Sequence, residues 1–264
     1  MAIDVFIVLG IFFISIVSRS IQALNWSGMV ASIFVGLAIW AGLEWKGLVL
    51  LGLFFFTSTF WSKWGKNRKQ MDLPVIDKEK GRNGAQVFAN GFIASLFSLL
   101  FALTDHPLLL IGFIVSIASA NGDTWASEIG VFSKQKPVIL FTAKRVEKGT
   151  SGAVSMLGTL AGLAGSFVVS FTALLLWPSI ISGKDLFLLT MFGLLGMFVD
   201  SVLGVTVQER FRCSKCGNIT ESRSHCGVKT VQIQGVQGVN NHMVNFLSIC
   251  FTSILSLLFY QFFG

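Results

Sequence analysis

Long uninterrupted runs of apolar residues recur throughout this chain of 264 residues. One helical crossing of a bilayer needs roughly 17 to 25 such residues. Backbone groups inside lipid must pair within their own element, and the runs do not alternate as barrel strands do, so they predict helices. Only 12% of the residues are charged, against about 25% in soluble domains. Soluble and disordered classes are therefore excluded, and the predicted fold is an all-α, polytopic transmembrane helical bundle.

The apolar runs define eight predicted spans: Ile3–Ile21, Ser27–Leu43, Gly47–Ser62, Gln86–Leu103, Pro107–Ser127, Ala153–Trp177, Leu186–Val207 and Met243–Phe263. The second and third are short, and a hairpin that does not cross the membrane is the alternative for them. The expected organisation is N-terminal transmembrane helices at 1–62, a basic loop at 63–85, and a catalytic transmembrane bundle at 86–264 with loops 128–152 and 208–242.

Basic residues are distributed unevenly between the two predicted sides. One side carries Arg19, seven residues in 63–82, five in 134–148 and five in 210–229, and the other carries Lys46 and Lys184. Basic residues of short loops stay in the cytosol, so both termini are expected outside. We expect a bacterial cell-membrane protein with its site facing the cytoplasm. No nucleic-acid partner is expected, because no extramembrane segment is long enough to form a binding domain.

A polar stripe opens the fourth predicted span, just after Arg82. Asn83, Gln86 and Asn90 are spaced three and four residues apart, which places them on one helical face. Such a stripe must face the inside of the bundle. It is interpreted either as interhelical hydrogen bonding, worth about 0.6 kcal/mol per pair, or as the lining of a substrate site.

An acidic cluster lies at the inner end of the fifth span. Asp123 and Ser127 share a helical face, and Glu128 follows at the predicted water boundary. An ionised carboxylate inside a membrane costs several kcal/mol unless a cation or hydrogen bonds meet it. Asp123 is therefore predicted to be a functional residue, most simply a ligand of Mg²⁺.

The loop before the sixth span combines basic, glycine and hydroxyl residues: Lys144, Arg145, Lys148, Gly149, Thr150, Ser151 and Gly152. This loop is expected to lead directly into the sixth span, and the free N–H groups and positive dipole end of a helix that begins there form an anion site. The alternative is an ordinary Ser or Thr cap, with glycines that allow tight helix packing.

A second buried acid occurs on the seventh span, within a single face formed by Gly193, Gly196, Asp200, Gly204 and Gln208. The glycines allow a neighbouring helix to approach closely. Because the fifth and seventh spans run in the same direction, Asp200 is expected at a depth similar to that of Asp123. Two acids there suit Mg²⁺ that bridges nucleotide phosphates. A proton or ion relay in a transporter is the alternative.

The last span opens with three asparagines, Asn240, Asn241 and Asn245. Their amides can donate to phosphate and accept from a ribose or a metal-bound water. The neighbouring His242 is interpreted as a cap or surface residue.

The loop 208–242 contains Cys213, Cys216, His225 and Cys226. Thiols in the cytosol stay reduced, so no disulfide is expected. Three thiols and an imidazole could enclose a structural Zn²⁺, which would brace this loop. The adjacency of His225 and Cys226 makes it difficult for both to bind, so a metal-free loop is the alternative.

Four motifs resemble the integral membrane family that contains plant phytyl-phosphate kinase, over about Arg82 to Ser248. They are Gly122-Asp123-Thr124-Trp125-Ala126-Ser127-Glu128-Ile129-Gly130, Lys148-Gly149-Thr150-Ser151-Gly152, Asp200-Ser201-x2-Gly204 and Asn240-Asn241-x3-Asn245-Phe246. Their order is also similar to dolichol kinase and CDP-diacylglycerol synthase, although the last motif here carries asparagines in place of acids. The sequence has no P-loop or dinucleotide fingerprint, so any nucleotide site must be of another, membrane-embedded kind.

The resemblance implies a CTP-dependent kinase that phosphorylates a phytyl or polyprenyl monophosphate, with Mg²⁺ as cofactor. Asp123, Asp200 and Lys148 would then be catalytic. The expected nucleotide- or phosphate-binding residues are Lys144, Arg145, Gly149, Thr150, Ser151, Gly152, Ser127, Asn240, Asn241 and Asn245, and the expected substrate-lining residues are Arg82, Asn83, Gln86, Asn90, Glu128 and Gln208. Cytidylyl transfer to the lipid phosphate, and a lipid transporter or scramblase, are the alternatives.

Overall fold

The computed structural model describes residues 2–69 and 81–263, so residues 70–80 of the expected basic loop lie outside the described part. The described residues form seven helices: α1 (Ala2–Ser20), α2 (Trp26–Lys69), α3 (Gly84–Thr104), α4 (Pro107–Gly130), α5 (Met156–Leu176), α6 (Gly183–Thr206) and α7 (Asn241–Phe263). Six of them, α2 to α7, are long and apolar enough to cross a membrane. The helical membrane fold is confirmed, whereas the number of crossings and the side of each terminus stay predictions.

Helix α2 contains two predicted spans and reverses direction between them. Glu44 leaves the helical conformation, with φ 50° and ψ −147°. Lys63 Nζ donates to the carbonyl oxygen of Ile21, 3.0 Å away, so the second half returns to the level at which the first half began. A Cβ atom at Gly47 would lie 2.7 Å from Cγ2 of Ile39, eight residues earlier. Because eight residues of straight helix span about 12 Å, the two halves are antiparallel.

Helix α4 forms the centre of the bundle. Every residue from Leu110 to Gly122 is buried, and the helix contacts α2, α3, α5, α6 and α7. A helix that is surrounded on all sides has no face toward solvent, which is why its sequence shows no amphipathic period. Asp123 follows directly after this buried stretch, so α4 delivers a carboxylate from the core to the cavity described below.

Two small antiparallel sheets structure the loops between helices. The first sheet pairs β1 (Val138–Ile139) with β2 (Ala153–Val154). The second sheet contains β3 (Arg210–Cys213), β4 (Ile219–Thr220), β5 (Ser224–His225) and β6 (Val228–Gln234), in the spatial order β4-β3-β6-β5. The buried Glu209 anchors the second sheet, because its carboxylate accepts from Arg223 at 2.9 Å and from the N–H of Gly238 at 3.0 Å. The sequence had indicated a loop here.

The start of α5 differs from the expected sixth span. The helix begins at Met156 rather than at Ala153, and Ser155 caps it by accepting from the N–H of Gly158 at 3.1 Å. Ala153 and Val154 instead pair with β1. The expectation that Lys148–Gly152 leads directly into a helix was therefore wrong, since β2 and a serine cap separate this loop from the helical N–H groups.

Candidate functional site

A polar cavity of about 330 Å³ lies where α3, α4, α6 and α7 meet the loop that precedes α5. Residues from all five predicted polar clusters line it: Gln86, Asn90, Asp123, Ser127, Glu128, Lys148, Gly149, Thr150, Ser151, Gly152, Asp200, Asn241 and Asn245. Asp123 of α4 and Asp200 of α6 thus line the same cavity.

Close packing of α4 and α6 brings Asp123 and Asp200 together. A Cβ atom at Gly196 would lie 2.5 Å from Oγ of Ser119, so only glycine permits this contact. Asp123 and Asp200 each follow that contact by four residues, about one helical turn, on the same face of their helices. The glycine stripe predicted on α6 therefore sets the register that places the two acids side by side at the cavity.

Asn245 forms a hydrogen bond with the Asp200 carboxylate. With the amide oriented so that its nitrogen faces both acceptors, it donates to Oδ2 of Asp200 at 3.1 Å and to the carbonyl oxygen of Asn241 at 2.8 Å. An outer hydrogen bond of this kind fixes the orientation of a metal-binding carboxylate. The asparagine motif of α7 thus supports the α6 acid.

The loop Lys148–Gly152 contacts the end of α6 and the segment that follows it. Ser151 Oγ donates to Oε1 of Gln208 at 2.7 Å, and the Arg210 guanidinium donates to the carbonyl oxygen of Ser151. Gly152 adopts φ +73°, and a Cβ atom there would lie 2.5 Å from the carbonyl oxygen of Ser201. These contacts keep the loop, with Lys148, at the mouth of the cavity.

Six residues predicted for the site do not line the polar cavity. They are Arg82, Asn83, Lys144, Arg145, Gln208 and Asn240. Asn83 caps α3 by accepting from the N–H of Gln86 at 2.9 Å, and Asn240 accepts from the N–H of Met243 at 3.1 Å. Lys144 and Arg145 are exposed beside β1. Gln208 is buried and holds the Ser151 hydroxyl, so its contribution is to loop position.

A second, apolar cavity of about 150 Å³, which was not predicted from the sequence, lies between α1, α2 and α3. It shares Gln86 and Asn90 with the polar cavity. Arg82 lines it beside this junction, with its guanidinium 5.8 Å from the centre of the Phe55 ring. Burial lowers the pKa of Arg82, and the negative charge of Glu128 in the polar cavity partly offsets that effect.

Glu221, which follows β4, lines the polar cavity but was not predicted as a site residue. An isolated acid in a loop carries no periodic signal. Among the described residues that line this cavity, four are acids, Asp123, Glu128, Asp200 and Glu221, and one, Lys148, is basic. Such a charge balance favours a bound cation, and it would repel a phosphate group that arrived without one.

The four candidate zinc ligands come together in the second sheet. One ligand atom from each of Cys213, Cys216, His225 and Cys226 lies within 4.8 Å of all the others. Hydrogen bonds from the backbone N–H of Cys216 and from His225 lower the pKa of the Cys213 thiol to about 6.

Several known proteins are similar to this chain. Protein PGR from Arabidopsis thaliana is 34% identical over 260 residues, which cover 89% of this chain and 88% of that protein. The uncharacterized membrane protein MJ0933 from Methanocaldococcus jannaschii is 34% identical over 200 residues, 75% of this chain and 80% of that protein. Protein VTE6, chloroplastic, from Arabidopsis thaliana is 25% identical over 248 residues, 92% of this chain and 67% of that protein.

No solved structure gives a significant match. Because the relatives include plant and archaeal proteins, they do not support the expected bacterial membrane in particular. The model of one family, described as integral membrane protein DUF92, matches residues 9–253. The chain therefore belongs to the DUF92 family of integral membrane proteins, the relationship that its four motifs had indicated.

Proposed function

We propose that this chain is a membrane-embedded, Mg²⁺-dependent kinase that transfers a phosphoryl group from CTP to a phytyl or polyprenyl monophosphate, on the cytosolic side of the membrane. The observation that carries the proposal is the junction at Gln86 and Asn90, where a polar cavity lined by carboxylates meets an apolar one. A lipid phosphate needs both, one for its head and one for its chain. The identity of the donor and acceptor rests on the motif resemblance to phytyl-phosphate kinase and dolichol kinase.

The residues of the polar cavity fit Mg²⁺. Asp123 and Asp200 offer the oxygen ligands that this ion prefers, and Asn245 orients one of them. Bound Mg²⁺ would supply positive charge that neutralises nucleotide phosphates in phosphoryl transfer. The acidic lining supports this interpretation, because its negative charges would repel a triphosphate that approached without a cation.

The remaining steps belong to the protein's own side chains. Lys148 binds a phosphate of the nucleotide at the cavity mouth, and Arg82, beside the junction, binds the phosphate of the lipid. The lipid phosphate is already anionic, so its attack on the terminal phosphorus needs no general base. Catalysis then comes from positioning and charge neutralisation.

A substrate screen tests this proposal. Purified protein in lipid nanodiscs is supplied with CTP, ATP, GTP or UTP and with phytyl, geranylgeranyl or undecaprenyl monophosphate, and CDP and pyrophosphate are followed separately. Formation of CDP and the lipid diphosphate supports the kinase. Release of pyrophosphate identifies a cytidylyltransferase instead. The absence of turnover, with lipid movement in proteoliposomes, identifies a transporter or scramblase.

A leucine at Gly52 tests the apolar cavity as the site of the lipid chain. Gly52 lines this cavity, and a Cβ atom there would meet only the Phe56 ring, at 3.7 Å, so the fold should accept the change. Displacing about two methylene groups costs about 1.6 kcal/mol. We expect KM for the lipid phosphate to rise about tenfold, with KM for CTP unchanged.

The matched control for this variant is Gly10→Leu on α1. A Cβ atom at Gly10 has no neighbour within 4 Å, and the residue does not line the apolar cavity. Its KM for the lipid should stay at the wild-type value. Equal effects of the two substitutions would contradict the assignment of the cavity.

A further inference from the structure

The cluster of Cys213, Cys216, His225 and Cys226 has the dimensions of a tetrahedral metal site. Nδ1 of His225 lies 3.4 Å from Sγ of Cys216 and 3.2 Å from Sγ of Cys226, and all four ligand atoms lie within 4.8 Å of one another. Zinc–sulfur bonds of about 2.3 Å separate the ligand atoms of a tetrahedron by about 3.7 Å. The observed separations bracket this value, so a small adjustment of the side chains would complete a zinc shell.

The backbone removes the difficulty that adjacent ligands pose. His225 ends strand β5, and in an extended strand the next side chain would point to the opposite face. Cys226 instead adopts φ +53°, followed by Gly227 at φ +74°. This left-handed pair brings the Cys226 sulfur back to the side of His225. Positive φ at both residues is the conformation of a two-residue type I′ hairpin turn, here between His225 and its pairing partner Val228.

The cluster also flanks the segment that carries Glu221. Cys213 and Cys216 lie just before this segment, and His225 and Cys226 lie just after it. Strands β4 and β5, which flank Glu221, are each two residues long and provide few ladder hydrogen bonds. A metal that joins the two ends of the segment would therefore fix where Glu221 meets the polar cavity.

We propose that Cys213, Cys216, His225 and Cys226 bind one structural Zn²⁺, and that this ion positions Glu221 as a further carboxylate of the cation site in the polar cavity. Binding displaces the thiol protons to solvent and leaves thiolate ligands and a neutral imidazole. The zinc site stands independently of the kinase activity. The role of Glu221 rests on the proposed function, through the divalent cation in the cavity.

The zinc content of the purified protein tests the first part. We expect about one zinc per chain in the wild type, and a visible cobalt–thiolate absorption band after exchange with Co²⁺. Cys216→Ser and Cys226→Ser should lose the metal, while Cys250→Ser in α7 should keep it. A wild-type protein that contains no zinc and takes up no Co²⁺, or one with a disulfide among these cysteines, would overturn the site.

The affinity of the cavity for Mn²⁺, followed by electron paramagnetic resonance, tests the second part. We expect Glu221→Gln and Cys216→Ser each to weaken Mn²⁺ binding about five- to tenfold, and the double variant to be no weaker than either one. Glu147→Gln, an exposed acid outside the cavity, serves as control. Independent, additive losses would overturn the positioning role. If the wild type binds no Mn²⁺, the proposed function and the role of Glu221 fail, while the zinc content still decides the zinc site.

Discussion

Replacing either Asp123 or Asp200 with asparagine should lower Mg²⁺-dependent CTP turnover by roughly 10³-fold. Asparagine keeps the shape of the side chain but lacks the charge that holds a divalent cation against phosphate. The bundle should remain folded, because a neutral amide costs less than an ionised carboxylate at a membrane-buried position. Steady-state kinetics and thermal unfolding of each variant provide the measurement.

Asp105→Asn is the matched control for these two variants. Asp105 is exposed at the end of α3 and adopts φ 54°, a conformation that asparagine tolerates. It should retain wild-type turnover and stability. If Asp123→Asn or Asp200→Asn also retained turnover, the shared cation would have no role in the reaction.

An alanine at Gly152 should reduce turnover by about 10²-fold, since a displacement of about 1 Å is enough for such a loss. The added Cβ would lie 2.5 Å from the carbonyl oxygen of Ser201 and 2.4 Å from Cγ2 of Val205. The loop must therefore move away from α6, and Lys148 moves with it. We expect the loss to appear in kcat, while the melting temperature of the helical bundle changes little.

Gly238→Ala is the control that separates the effect of the steric clash at Gly152 from the effect of its positive-φ backbone conformation. Gly238 also has positive φ, +91°, but a Cβ atom there would meet nothing within 4 Å. Its alanine variant carries the same conformational penalty without pushing on α6, so turnover should stay near the wild-type value. Equal losses in Gly152→Ala and Gly238→Ala would show that contact with α6 does not position the loop.

The helices could be predicted because their signal is local. Each apolar run defines its own segment, and even the reversal between two short spans was visible at Glu44-Trp45-Lys46, where the structure breaks the helix. A close helix contact on the face of α6 that carries Asp200 was also predictable, because glycines at three- and four-residue spacing mark such a contact; the structure shows that α4 makes it.

The loops could not be predicted in the same way. Strands β4 and β5 have two residues each, too few to show an alternating pattern, and their pairing depends on β3 and β6, which are distant in sequence. The position of Glu221 at the polar cavity depends on this sheet, because the residue lies between β4 and β5. The start of α5 was misplaced because Ala153 and Val154 are apolar and continue the helical pattern, although they pair with β1.

The apolar cavity had no sequence signal because it arises from packing. Its walls come from α1, both halves of α2 and α3, and each of these helices alone resembles an ordinary span. Because the two halves of α2 are antiparallel, Val35 of the first half and Leu51 of the second half line the same cavity. Gln86 and Asn90 of α3 lie next to them. Of the polar stripe on α3, Gln86 and Asn90 line both cavities, whereas Asn83 caps the helix.

Anomalous diffraction from crystals grown with Mn²⁺ locates the cation directly. We expect one strong peak in the polar cavity, about 2.1 Å from a carboxylate oxygen of both Asp123 and Asp200. A peak that contacts neither carboxylate, or only one of them, would contradict the shared cation on which the proposed kinase depends.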